Sequence, residues 1–127
     1  MPSWSLDARV PVTLLPDAAA LAEALAAGGP PAAVLVEVPT PPSPPAGAVA
    51  VDGFDAWAPS HGGGCACCAG RSPAAEALDR MFQARVRGTV PWFVRVFAVG
   101  DAVACAAVED ALRDDALSAA RFRLATP

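Results

Sequence analysis

Apolar and polar positions alternate along the chain in a strand–helix rhythm. Val10 to Leu15 is a short β-rich stretch. Pro16-Asp17 then opens a helix, with Asp17 as its N-cap, Leu21 and Leu25 on one face, and Gly28-Gly29-Pro30 as its stop. Ala33 to Val38 is an apolar run that predicts a second strand buried on both faces. This strand, helix, strand order predicts a right-handed parallel unit. Ala48 to Val51 predicts a short third strand, followed by a turn region carrying the core or lid aromatics Phe54 and Trp57. Ser72-Pro73 starts a strong helix whose stripe Leu78, Met81 and Phe82 is core-facing, with Arg85 continuing the spacing and Gly88 as its end. Trp92 to Gly100 reads as a fourth strand. Asp101 caps a helix through about Leu112, and Asp114 or Asp115 caps a last short helix through Arg121.

The result is one α/β domain spanning residues 1–127, layered around a small, mostly parallel sheet of roughly four strands and four helices. Residues 39–47, with prolines at 39, 41, 42, 44 and 45, interrupt it. Proline fixes φ and removes N–H donors, so this segment is a stiff connector rather than sheet. A docking motif for a proline-binding module is the other reading, but no basic residue flanks it.

Composition narrows the chemistry. The 127 residues carry nine basic and 13 acidic side chains, a net charge of −4. All nine basic residues are arginines, because the chain has no lysine. The acidic pI of about 4.7 argues against nucleic acid as a partner. Without lysine there is no Schiff-base lysine and no phosphate-loop lysine. No apolar run approaches the roughly 18 residues of a membrane span, and the N-terminus has no secretory pattern. A cytoplasmic location with reduced thiols is expected.

The densest chemistry is His61-Gly62-Gly63-Gly64-Cys65-Ala66-Cys67-Cys68. Thiolates are soft ligands for Zn²⁺ and similar thiophilic ions, and alternate residues of an extended turn point to the same side. The glycines let the backbone bend around an ion. Cys65, Cys67 and Cys68 are the candidate ligands, with His61 as a fourth. The competing reading is inert thiols, which suits Cys105 on its alanine-rich helix better than three cysteines beside a glycine run. A thiol redox module is a further alternative, although no Cys-x-x-Cys spacing is present. Arg80, Arg85, Arg87 and Arg113 read as solvated helix faces, and Arg121 and Arg123 as helix C-terminal charges.

Gly64-Cys65-Ala66-Cys67-Cys68, followed by Arg71 and an amphipathic helix, resembles the Gly-Cys-x-Cys-Cys motif of the CobW-like P-loop GTPases, a family of metal chaperones and insertases. Within the resemblance, Val10 to Leu15 corresponds to the family's first strand. Ala33 to Val38 corresponds to its second, with Glu37 at the place of a switch glutamate. Val94 to Gly100 corresponds to the strand ending Glu-Thr-Thr-Gly, and Ala116 to Leu124 to a helix tail before the next strand. The resemblance implies a remnant of a P-loop GTPase fold that keeps the metal motif.

The departures are specific. Leu15 leads into Pro16-Asp17-Ala18, where the family has a glycine-rich loop with Gly-Lys-Thr. That loop supplies backbone N–H groups, a lysine and a hydroxyl to phosphate and Mg²⁺. Phe97-Ala98-Val99-Gly100 stands where Glu-Thr-Thr-Gly is expected, and the sequence reaches Pro127 without an Asn-Lys-x-Asp segment. The expectation is a metal-binding protein without nucleotide or GTPase activity. The alternative is a non-catalytic partner of a true CobW-like GTPase, docking through an exposed sheet edge.

Overall fold

The computed structural model describes residues 7–58 and 71–125. Among these residues the order is β1 (Val10–Leu15), α1 (Ala18–Ala26), β2 (Ala32–Glu37), β3 (Ala50–Phe54), α2 (Pro73–Arg87), β4 (Arg95–Val99), α3 (Ala102–Asp114), α4 (Ala116–Arg121) and β5 (Phe122–Leu124). The five strands form one sheet in the order β3-β2-β4-β1-β5, and every neighbouring pair is parallel. The α/β class is as expected, and the sheet is wholly rather than mostly parallel. β1 and β2 are parallel but not adjacent, because β4 is inserted between them.

Local chemistry explains the helix starts. Asp17, Ser72, Asp101 and Asp115 each accept from the backbone N–H three residues on, which satisfies one otherwise orphaned donor per helix. Pro73 occupies the first turn of α2, where its missing N–H costs nothing. Gly88 ends that helix in the left-handed region at φ 75°, which a Cβ disfavours. Gly88→Ala is expected to lower stability by about 1 kcal/mol, read as a lower urea midpoint with an unchanged slope. An unchanged midpoint would show that the αL cap contributes nothing.

The sheet separates two apolar layers. On one face, Leu21 and Leu25 of α1 pack on Ala32, Val34 and Phe97. On the other, Ala74, Ala75, Ala77, Leu78 and Met81 of α2 and Ala104, Val108 and Ala111 of α3 pack on Val10, Val12, Leu35, Val96 and Ala98. Ala32 to Leu35 of β2 are all fully buried, as a strand covered on both faces requires. The α2 stripe is core as predicted: Leu78 and Met81 are buried, and Phe82 meets Phe122 edge-on at 5.9 Å.

The Pro-rich connector links β2 to β3 and is tied down at both ends. Val38 N–H donates to Phe54 O and Val49 N–H to Ala32 O, both at 2.9 Å. Thr40 folds over β3 at Gly53, where an added Cβ would lie 1.8 Å from the Thr40 hydroxyl. Only glycine permits that approach.

Several expectations require correction. The third strand is Ala50–Phe54 rather than 48–51, so Phe54 is a buried strand residue and not a turn aromatic. Trp57 is neither core nor sheltered, being 70% exposed. The fourth strand begins at Arg95, because its partner β2 begins at Ala32 and the two are paired. Trp92 to Val94 precede it as loop. Phe122–Leu124 is not a helix tail: it is a fifth strand alongside Val10–Val12 of β1. Arg85 is not on a solvated face. Its Nε donates to Phe93 O at 2.7 Å, and its guanidinium lies 3.6 Å from the centre of the Trp92 ring. Burial pushes its pKa down.

Candidate functional site

In a parallel sheet with helices on both faces, ligands bind outside the carboxyl ends of the strands, where neighbouring connections diverge. Here those ends are Leu15 of β1, Val99 of β4, Glu37 of β2 and Phe54 of β3. Gly100 N–H closes onto Leu15 O at 3.1 Å, which joins the β1 and β4 ends.

The edge is acidic. Asp17 at the start of α1 accepts from Ala20 N–H at 2.8 Å, and Asp101 at the start of α3 accepts from Ala104 N–H at 2.9 Å. Glu37 lies against Gly100. Burial, then the neighbouring Asp101 and Asp55 carboxylates, push the Glu37 carboxyl up. A helix N-terminus ordinarily attracts anions, but here an aspartate already occupies each one and opposes that attraction.

Cys105, in the second turn of α3, faces the same edge. Its thiol lies 3.5 Å from Gly100 O and 3.7 Å from Leu15 O. Burial, then Glu109 and Asp101, push this thiol up, so it stays protonated at neutral pH. It behaves as a half-buried packing residue, in line with its sequence reading. Among the described residues, no group of three or more His, Cys, Asp or Glu side chains is placed to hold a metal.

The predicted ligands His61, Cys65, Cys67 and Cys68 lie outside the described residues. Their flanks do not. Ala58 and Arg71 both line a cleft of about 420 Å³ that also takes in Ser72 and Pro73 of the α2 start, and Ala107, Asp110 and Asp115 of the α3–α4 corner. Sequence position 71 is three residues past Cys68, and its side chain is firmly held. Arg71 donates through Nε and an Nη to the two oxygens of Asp115, at 3.0 Å each, and through its other Nη to Asp79 at 3.3 Å. Asp79 also receives Arg121. The two-pronged Arg71–Asp115 contact has the planar fork geometry that makes such pairs directional.

Asp115 has a second task. The same carboxylate caps α4 by accepting the Ser118 N–H and hydroxyl at 2.9 Å each. Burial alone would push its pKa up, but the Arg71 and Ser118 bonds outweigh it and hold the carboxyl below its ordinary value. Asp79 is lowered in the same way, burial being outweighed by Arg121 and Arg71. The sequence pointed to Asp115 as a helix start. Nothing local could reveal its partner 44 positions away.

A depressed folded pKa means that the Asp115 contribution is complete above the unfolded carboxylate value of about 3.9 and fades as pH falls through the folded value. Asp115→Asn keeps a cap acceptor but leaves Arg71 without its main counter-ion. A loss of about 2 kcal/mol at pH 7 is expected, with the gap to wild type closing below about pH 4. A gap independent of pH would mean that packing, and not the ion pair, carries the effect.

No helix among the described residues is long and apolar enough to cross a membrane. Comparison with known proteins found no matching family model, no matching curated protein and no matching solved structure.

Proposed function

We propose that the chain is a cytoplasmic, thiolate metal-binding protein for Zn²⁺ or a similar thiophilic divalent ion, related to the CobW-like metal chaperones and without GTPase activity. One observation carries the reading: three cysteines and a histidine fall within eight residues around a glycine run, from His61 to Cys68. Cys65, Cys67 and Cys68 are the proposed ligands, with His61 completing a tetrahedral set. Ligands this close in sequence assemble around an ion with little loop-closure cost.

The setting is compatible with this role. The cysteine-bearing segment connects β3, which ends at the acidic carboxyl edge, to α2, and its described flanks share one cleft. The acidic carboxyl edge of the sheet favours a cation. It disfavours a nucleotide, because a phosphate approaching α1 or α3 would meet the Asp17 or Asp101 carboxylate at the helix start. The chain has no lysine to offset that repulsion.

The test is a titration of the fully reduced protein with Co²⁺ as a spectroscopic substitute for Zn²⁺. Thiolate-to-cobalt charge-transfer bands saturating at one ion per chain are expected, and Zn²⁺ should bleach them. A spectrum with no charge-transfer band would sink the proposal.

A second reading rests on the sheet edges. β3 and β5 are the outer strands of the described sheet, and β5 is only three residues long. An outer strand offers unpaired N–H and C=O groups to a partner, so docking of a CobW-like GTPase at this edge is the alternative role.

A further inference from the structure

We draw no further inference here: the strongest candidate, the apolar groove of about 680 Å³ between α1 and the proline-rich connector, lined by Leu21, Leu25, Val36, Pro41, Pro45 and Val99, carries nothing because nothing in the structure shows what covers it.

Discussion

Phe93→Ala is expected to cost about 3–5 kcal/mol of folding stability, the range for emptying a closed aromatic site. Phe93 is completely buried although it belongs to no strand or helix. It packs in the cluster that joins α2 and α3 to the sheet. Its carbonyl accepts from Arg85, and the next residue, Val94, donates its N–H to Pro31 O at 3.0 Å. These bonds fix the approach to β4 from both sides, so the surrounding structure has little freedom to close over a missing ring.

The cost should therefore include the cavity as well as the lost transfer energy. Phe93→Leu, which keeps most of the volume, should lose only about 1–1.5 kcal/mol. Trp92→Ala removes a larger side chain, but one that is 56% exposed and stacked on Arg85, and about 1 kcal/mol is expected there. Urea unfolding of the three variants gives the order. A loss for Phe93→Ala no greater than that for Trp92→Ala would contradict the burial assignment.

Phe93 also shows where a single sequence stops being informative. Trp92-Phe93-Val94 has the same aromatic and β-branched character as the strand that follows. Composition alone extends the strand backwards, whereas the start of β2 at Ala32 sets the true beginning at Arg95. The four helix caps are legible because each is a contact across three residues, decided by one side-chain oxygen and one N–H. The double burial of β2 is legible because no polar side chain interrupts Ala32 to Val36. β5 is illegible for the opposite reason. Three residues cannot show a period, and Phe122–Leu124 becomes strand only because β1, more than a hundred positions earlier, offers it an edge.

The candidate site divides along the same line. The cysteine spacing and the absence of lysine are read directly from the sequence. The Arg71, Asp79, Arg121 and Asp115 network is not, since it joins the start of α2 to α4 across 42 to 44 positions. Arg85 misled for a related reason. Its helical spacing from Leu78 and Phe82 puts it on the core-facing side, yet a charged side chain is ordinarily assigned to solvent. Its aliphatic stem and planar head are accommodated by Trp92 and by the Phe93 carbonyl.

The largest functional effect is expected from removing the three clustered thiols together. Thiolates supply both the charge and the softness that a thiophilic ion selects, and serine hydroxyls supply neither at neutral pH. Losing an outer-shell partner of a metal ligand already weakens binding about 10–100-fold, so losing three ligands should weaken it by more than a hundredfold. The fold should survive, because serine is close to cysteine in size and the substitutions leave every residue of the two described apolar clusters in place. Unchanged far-UV circular dichroism of the variant would separate loss of the site from loss of the domain. His61→Ala alone should have a smaller effect, since water can take a fourth position.

The most direct measurement is the zinc content of the reduced wild type and of the Cys65→Ser, Cys67→Ser, Cys68→Ser variant, each dialysed against the same buffered Zn²⁺. One equivalent retained by the wild type and none by the variant is the predicted result. Equal zinc in the two proteins would contradict the account.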